Sequence, residues 1–388
     1  MNANVPRWQA ARLLAREVSE LEHWETCALS QSPGRVLAKA VVAPYALPRD
    51  ATSAMDGWAV ATKPDGSWEV IGQVLAGGVP EVELGSGQAV VIATGAVIPN
   101  GAVAVVRSED GTVTGGLLRA DIPESGQHVR PAGEECAPGE LLIPAGTDLS
   151  PVQVGLCAAL GFDELPVYAR PATHALVFGD EVRRKGTPGI GEVRDAIGPQ
   201  LPSWVTSFGG TMTGVEYVPD TLEDHIDAIK QALTGARVVI TTGGTAAGPR
   251  DHLHRAIEAL GGRLVVDSVA VRPGHPMLLA HFRDRYLLGL PGNPQSALVA
   301  LLTLGDPLYR GLTGRDMVEP TPARSGVALA APATEDRLVA GNLLEGTFRP
   351  AAQLGSAMLR GLAESTGFAV LPPGGVATGE AVGWLPLP

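Results

Sequence analysis

Hydrophobic and polar positions divide the chain into segments of different periodicity. Apolar residues recur at helical spacing over residues 4–22, which predicts an amphipathic helix. From about residue 36 to 120, short runs of Val and Ile alternate with Gly and Pro, a pattern typical of strands joined by tight turns. A helix is predicted next, with Asp148 or Ser150 as its N-cap and Gly161 at its end.

The period changes again over residues 172–312, where short apolar runs alternate with helical segments of similar length. Such alternation predicts a parallel sheet covered by helices on both faces. Residues 320–388 return to short strands between turns and predict a small β domain. The chain is therefore expected to be a multidomain α/β protein, ordered as helix, β-rich region, α/β region and β domain.

Charge and cysteine content exclude several classes of protein. Lys and Arg number 29 against 41 Asp and Glu, a net charge of −12 with no basic tract, so neither nucleic acid nor an anionic membrane surface is an expected partner. No signal-peptide pattern and no run of 18 apolar residues is present, so no membrane span is expected. The cysteines lie far apart without a CxxC pair, which fits a reducing cytoplasm.

The strongest local signal lies in residues 238–260, where a predicted strand runs into Gly243, Gly244 and Gly248 and a helix follows. Glycines let the backbone approach a ligand closely, and a helix N-terminus favours an anion. Asp251 stands where the helix begins. On this segment alone a simpler interpretation stays open, in which Asp251 caps the helix and the glycines turn the chain.

A second loop of the same kind lies in residues 286–301. Its stiff, exposed part consists of Gly289, Pro291, Gly292, Asn293 and Pro294, and Ser296 opens the next helix. Alone, this loop reads as a rigid turn. Two strand, glycine-loop and helix segments close together favour ligand binding, because such loops gather at the carboxyl ends of parallel strands.

Charged side chains accompany these loops. Glu181 lies directly beyond a predicted strand, where a carboxylate suits Mg²⁺, although a solvated acidic turn is the alternative. Arg272 and His275 could meet a phosphate or another oxyanion, or could be exposed charges beside a turn. His252 and His254 are two apart on one helix and point in different directions, so a zinc site is not expected.

Two sites in the β-rich region indicate a function only together with the motifs of the α/β region. Asp56 and Gly57 form a standard hairpin signal, and Thr94 and Gly95 read as a turn.

Eight segments, in chain order, resemble the MoeA family of molybdopterin molybdenumtransferases, which includes the E domain of gephyrin. They are SAMDGWAV, ATGAVIPNGAVAVV, VRPAGEECAPGELLIPAGT, GDEV, TTGGTAAGPRD, RPGHP, GLPGNPQSAL and LGSAMLRGLAESTGFAVLPPG. Each segment alone is an unspecific match, but eight segments in the family's order make the resemblance specific. The resemblance covers nearly the whole chain.

The resemblance implies a fold of four domains. A central MogA-like parallel-sheet α/β domain would span 169–314, a β-rich lid domain 44–142, and a small C-terminal β domain 315–388. Residues 1–43 and 143–168 would together form a discontinuous N-terminal linking domain.

The resemblance also implies an activity. Such proteins insert molybdate into adenylylated molybdopterin and release AMP, with help from a divalent cation such as Mg²⁺. They are cytoplasmic homodimers.

Carried over residue by residue, the family's catalytic positions are Asp251, Glu181, Asp56 and Thr94, and the metal ligands are Asp251, Glu181 and Asp220. The substrate-binding positions are Gly243, Gly244, Gly248, Arg272, His275, Gly289, Pro291, Gly292, Asn293, Pro294, Ser296 and Glu135. Arg272 and His275 replace two lysines of the family's usual KPGKP, and Glu135 replaces an aspartate.

Other departures leave alternative functions open. Phe178 replaces a threonine, Ile197 an asparagine, Ala246 a serine and Pro249 a glutamate of the family pattern. A catalytically weak relative that binds the molybdopterin nucleotide as a carrier or scaffold is one alternative. A molybdopterin adenylyltransferase is another, which the additional lid and C-terminal domains disfavour.

Overall fold

The computed structural model describes residues 5–63, 65–245 and 252–388. The chain divides into two compact units. The larger consists of Met1–Thr26, Gly34–Val36 and Pro166–Pro388, and the smaller of Cys27–Pro33 and Leu37–Leu165. Within the described ranges, no helix combines the length and hydropathy that a membrane crossing requires. The four domain boundaries implied by the resemblance stay a prediction.

The smaller unit is built on a β-sheet, as the alternating pattern predicts. Its strands, in spatial order, are Ala102–Arg107, Gly57–Ala61, Gln88–Ile92, Ser67–Val74, Leu117–Ala120 and Gly111–Thr114. The smaller unit also contains short strands at Val41–Val42, Thr52–Ser53, Val129–Arg130 and Leu141–Ile143, and a 3₁₀ turn at Leu29–Gln31. Val90 and Val105 pack on one face of the sheet and Trp68 and Leu118 on the other, so apolar residues are buried on both faces.

The helix Pro151–Ala159 in this unit is fixed by its ends. Ser150 Oγ accepts the backbone N–H of Gln153, and the Gln153 side chain accepts the N–H of Ser150, which together make a capping box. Gly161 then takes a positive φ of 78°, which ends the helix. The predicted cap is therefore confirmed as Ser150 rather than Asp148.

The larger unit contains the α/β region. Its central sheet has the strand order Thr211–Val218, Ala172–Phe178, Val238–Thr242, Arg285–Leu290, Leu278–Phe282 and Arg263–Asp267. The first four strands are parallel, as predicted, while each of the last two pairs antiparallel with the strand before it and extends the sheet. The sequence did not predict this extension, because Arg263–Asp267, Leu278–Phe282 and Arg285–Leu290 follow one another without an intervening helix and so depart from the strand-helix alternation.

Helices cover both faces of the central sheet. One face, which includes Val239, is covered by Leu222–Gly235 and His252–Ala259. The other face, which includes Ile240, shares its core with Trp8–Glu17, Leu201–Ser207, Pro294–Ala300 and Asp306–Thr313. The chain also forms two short two-stranded sheets, one of Trp24–Ala28 with Glu164–Tyr168 and one of Val182–Arg183 with Val193–Arg194, and a 3₁₀ turn at Gly198–Gln200.

Two helices differ in extent from the prediction. The first spans Trp8–Glu17, shorter than residues 4–22, because Ser19 bonds back to the carbonyl of Arg16 and turns the chain. The helix predicted after residue 293 is interrupted by a π-helical segment, Leu301–Gly305. There Thr303 Oγ1 donates to the Val299 carbonyl and accepts from the Trp8 indole.

A small closed β-barrel forms the end of the larger unit, in agreement with the predicted β domain. Its strands are Asp336–Leu344, Thr347–Pro350, Thr321–Ser325, Ala381–Pro386 and Gly367–Leu371, and the last pairs with the first. The helix Arg360–Ala363 precedes one of them, and the short strand Val271–Arg272 adds to the barrel in parallel with Asp336–Leu344. Phe348, Phe368 and Trp384 are buried in this part of the chain.

Candidate functional site

A cavity of about 330 Å³ lies at the carboxyl ends of the parallel strands in the larger unit. Phe178, Thr242 and Gly243 reach it from two strand ends, and Glu181 lies just beyond the first of these. Gly292–Pro294 closes another side. The structure thus brings together three of the sequence segments expected to meet there, since parallel strands direct their carboxyl ends to one edge.

Gly243 occupies a position that only glycine fits without strain. Its φ is +84°, and a Cβ there would lie 3.2 Å from the carbonyl oxygen of Phe178. Its N–H donates to the Leu290 carbonyl at 3.0 Å, which ties the loop to the neighbouring strand. Gly244 also has a positive φ, +69°. These glycines therefore shape the loop beside the cavity.

The second loop contains residues of different kinds. Gly292 and Asn293 are exposed at the cavity, and Asn293 Nδ2 donates to Ser356 Oγ at 3.3 Å. Gly289 instead lies buried in its strand, where a Cβ would come within 2.7 Å of Leu278. Pro291 and Ser296 are buried too, and neither lines the cavity.

Glu181 and Asp220, both predicted metal ligands, lie in different surroundings. The Glu181 carboxylate folds over Gly179 and faces the cavity. Asp220 does not line it: its backbone N–H donates to Asp180 Oδ1 at 3.3 Å, and its own Oδ1 lies 3.3 Å from His225 Nε2. Asp220 is thus engaged with a buried histidine rather than turned to the cavity.

That histidine is a feature that the sequence did not indicate. The His225 ring is fully buried and stacks on Phe178 at a centroid distance of 3.7 Å, with His252 edge-on at 5.6 Å. Burial lowers the pKa of His225, against the opposing effect of Asp220. Phe178, which departs from the family pattern, therefore packs on a buried histidine of lowered pKa beside the first glycine loop.

Asp195 is a second lining residue that sequence reasoning left unassigned. Its Oδ1 accepts the N–H groups of Ile197 and Gly198, both at 2.9 Å, and its Oδ2 accepts the Tyr217 hydroxyl at 2.6 Å. Burial, with Asp195 adding to it, raises the pKa of Tyr217 to about 12. Gly198 and Pro199, three and four residues after the aspartate, are the sequence signal that could have indicated this turn.

The described residues of this site provide only some of the ligands that a divalent cation would need. Among the described residues, no three His, Cys, Asp or Glu side chains form a group that could hold a metal ion. Asp251 and Gly248 lie outside the described residues. Mg²⁺ needs one or two protein carboxylates beside waters and phosphate oxygens, and Glu181 at the cavity meets that need.

Arg272 and His275 do not line the cavity but face a carboxylate of the C-terminal barrel region. Arg272 Nε donates to Glu335 Oε2 at 2.8 Å, and His275 Nδ1 lies 3.4 Å from Glu335 Oε1. The sequence could not reveal this partner, which is 63 residues from Arg272.

The smaller unit brings Asp56 and Thr94 together. Asp56 Oδ1 accepts the Thr94 N–H at 2.8 Å, and both residues are exposed. The hairpin interpretation of Asp56 is wrong, because strand Thr52–Ser53 pairs with Val129–Arg130 and not with Gly57–Ala61. Glu135 is exposed in a turn elsewhere in this unit, and its N–H donates to the Leu47 carbonyl.

A mainly parallel sheet with glycine loops and a carboxylate at its strand ends defines an α/β protein of the class that binds anionic ligands at this edge. Two family models match the chain. The MoeA N-terminal region (domains I and II) matches residues 6–161, and the probable molybdopterin-binding domain matches residues 174–311.

Individual relatives extend the match along the chain. The molybdopterin molybdenumtransferase of Synechococcus elongatus is 31% identical over 94% of each chain. That of Haemophilus influenzae is 30% identical over 77% of this chain and 76% of its own. The structure of the molybdopterin biosynthesis MoeA protein of Pyrococcus horikoshii is 26% identical, with a TM-score of 0.83 over 98% of both chains.

The chain belongs to the MoeA family of molybdopterin molybdenumtransferases, as the resemblance indicated. It is therefore a transferase of molybdenum cofactor biosynthesis.

Proposed function

We propose that this transferase acts on adenylylated molybdopterin, takes up molybdate and releases AMP at the cavity of the larger unit. The observation that supports this most directly is the convergence of Glu181, Gly243 and Gly292–Pro294 around one space. Its volume, about 330 Å³, is at the lower end of the range of small-molecule sites. An open cleft of this size can take part of a nucleotide.

The proposed substrate contacts follow from the lining. Gly243 and Gly292 present backbone without side chains, so a phosphate can approach closely. The Asn293 amide offers both donors and acceptors, and Ser356 orients it. Three of the four acceptor sites of Asp195 are already used, two on Oδ1 and one on Oδ2, which leaves it little capacity for a substrate donor. It would instead hold the turn that forms one wall.

In this proposal Glu181 holds a divalent cation together with Asp251, whose role comes from the family pattern. A bound Mg²⁺ would supply positive charge beside the phosphoanhydride. Glu181 reaches the cavity, whereas Asp220 is engaged with His225, so we assign Asp220 to positioning rather than to the metal. Asp56, Thr94 and Glu135, the homodimer and the cytoplasmic location stay predictions of the resemblance.

The experiment that tests this function follows AMP release. Purified protein is incubated with adenylylated molybdopterin, Mg²⁺ and molybdate, and AMP is quantified over time. Glu181→Gln keeps the shape of the side chain but removes its charge, and we expect AMP release to fall by about 100-fold or more. Glu258→Gln, an exposed change on helix His252–Ala259, is the matched control and should keep the wild-type rate.

Asp251→Ala is the second variant, and we expect it to abolish AMP release while the fold is kept. An unchanged rate in Glu181→Gln would contradict its assignment. Tight nucleotide binding by the wild type without any molybdate-dependent AMP release would instead favour the carrier or scaffold alternative.

A further inference from the structure

Arg272 and His275 of the RPGHP turn share one carboxylate. Arg272 Nε donates to Glu335 Oε2 at 2.8 Å, and His275 Nδ1 lies 3.4 Å from Glu335 Oε1. The side chain of Glu335 is only 13% exposed, whereas those of Arg272 and His275 are 57% and 36% exposed. The carboxylate therefore lies beneath the two groups that the sequence indicated for oxyanion binding.

Strand pairing holds Glu335 in this place. Arg272 pairs with Arg337 in parallel register, and the N–H of Asp336 donates to the Ala270 carbonyl at 3.0 Å. Neighbouring side chains on a strand point to opposite sides, and Asp336 accordingly turns away to form an ion pair with Arg7. Glu335 lies in the bend directly before this strand and remains on the side of Arg272, so the paired residue that follows it fixes its position.

This contact changes what the turn can do with an anion. A carboxylate and a tetrahedral oxyanion use the same donors, namely guanidinium and imidazole N–H groups. Glu335 already takes the Nε donor of Arg272 and approaches Nδ1 of His275. The negative charge of Glu335 also offsets the positive charge of Arg272, so the electrostatic attraction between the turn and an incoming anion is reduced.

We propose that Glu335 is an internal counter-ion that competes with the tetrahedral dianion for Arg272 and His275. The dianion binds only when it draws these side chains away from the carboxylate, and Glu335 thereby weakens binding of the dianion. This inference rests on the proposed function for the identity of the dianion as molybdate. It concerns binding at the turn and not the chemistry in the cavity.

The test measures anion binding to the full-length protein directly. Isothermal titration calorimetry with molybdate, and with sulfate as a dianion of the same shape, compares wild type, Glu335→Gln and the control Glu258→Gln. We expect Glu335→Gln to bind both dianions about tenfold more tightly, because the competing charge is gone while the shape is kept. Glu258→Gln should match the wild type.

Two further variants make the result specific to this site. The double variant Glu335→Gln with Arg272→Met should lose the gain, because the main donor is absent. Glu335→Asp keeps the charge on a shorter side chain and should lie between wild type and Glu335→Gln; it also serves if Glu335→Gln does not fold, as judged by circular dichroism and gel filtration.

Equal dissociation constants in wild type, Glu335→Gln and Glu335→Asp would overturn the proposal, and so would a gain that persists in the double variant. These outcomes are independent of AMP release. Failure of the proposed function would show in the turnover assay of the wild type, while the dianion titrations would still decide the role of Glu335.

Discussion

Gly289 and Gly292 stand three positions apart in one motif and are glycines for different reasons. Gly289 lies in the sheet, paired with Thr241 on one side and Leu278 on the other. A Cβ there would lie 2.7 Å from the Leu278 side chain, so close packing requires the glycine. Around Gly292 the nearest atom would be 3.9 Å away, so packing imposes no such requirement. Its small size instead leaves room in the cavity.

This difference gives a paired prediction. Gly289→Ala should lower the free energy of unfolding by about 1–3 kcal/mol, because the core must shift to admit a methyl group. Gly292→Ala should leave stability within about 0.5 kcal/mol of the wild type but weaken nucleotide binding. Urea unfolding and nucleotide titration of both variants measure these effects. Equal nucleotide affinity in wild type and Gly292→Ala would contradict its placement at the substrate.

The Tyr217 hydroxyl predicts a pH effect on stability. Its pKa is raised from 10.0 to about 12, so the folded protein keeps this proton when the unfolded chain has lost it. The stabilisation is complete below about pH 10 and is lost as the pH rises towards 12. Tyr217→Phe cannot lose a proton there.

We therefore expect the stability difference between wild type and Tyr217→Phe to be constant from pH 7 to about 10 and to shrink above it. Between pH 7 and about 10 the wild type should be more stable than Tyr217→Phe by about 0.5–1.5 kcal/mol, since the Tyr217 hydroxyl donates a hydrogen bond to Asp195. Urea unfolding across this pH range measures it. A difference that grows above pH 10 would show that the sign is wrong.

Among the elements, helix Pro151–Ala159 depends most clearly on its first residues. Its capping box satisfies backbone N–H groups that have no partner inside the helix. Proline at the first position fixes the backbone without losing a hydrogen bond. Only Cys157 of this helix is fully buried, so packing contributes less than in the helices of the central sheet.

Ser150→Ala should accordingly destabilise the protein by about 1 kcal/mol, because the N–H of Gln153 loses its acceptor. Val152→Ala changes a side chain that is 83% exposed in the same first turn and should have little effect. Chemical unfolding followed by circular dichroism compares the two. Equal stability of both variants would mean that the cap does not limit this helix.

On the scale of the whole molecule, the two units have separate hydrophobic cores. The smaller unit buries residues on both faces of its own sheet, with Trp68 only 1% exposed. The larger unit has its own clusters around the central sheet and in the barrel, where Phe368 is fully buried. Separate cores favour separate unfolding transitions.

Scanning calorimetry should therefore resolve two transitions. Trp68→Ala should destabilise the smaller unit by about 3–5 kcal/mol and move only one transition, while Phe368→Ala moves the other by a similar amount. A single transition that both variants shift together would show that the units unfold as one.

Local sequence alone determined the order of most elements, narrowed the cap to Asp148 or Ser150, and placed glycine loops after strands in a parallel sheet. These features depend on neighbours within a few residues, which periodicity and turn chemistry report directly. From the convergence of strand ends it followed that Glu181, Gly243 and Gly292 would meet. The family resemblance supplied the chemistry.

Only the tertiary structure decided which side chains are already engaged. Asp220 is near His225, which packs beneath Phe178, and Arg272 bonds to Glu335, 63 residues away. Nothing in the spacing of these residues encodes such pairs, because they arise where separate elements pack or pair. The antiparallel extension of the sheet has the same origin. A long-range contact is a property of the folded chain, and it decides whether a charged residue is available to a ligand.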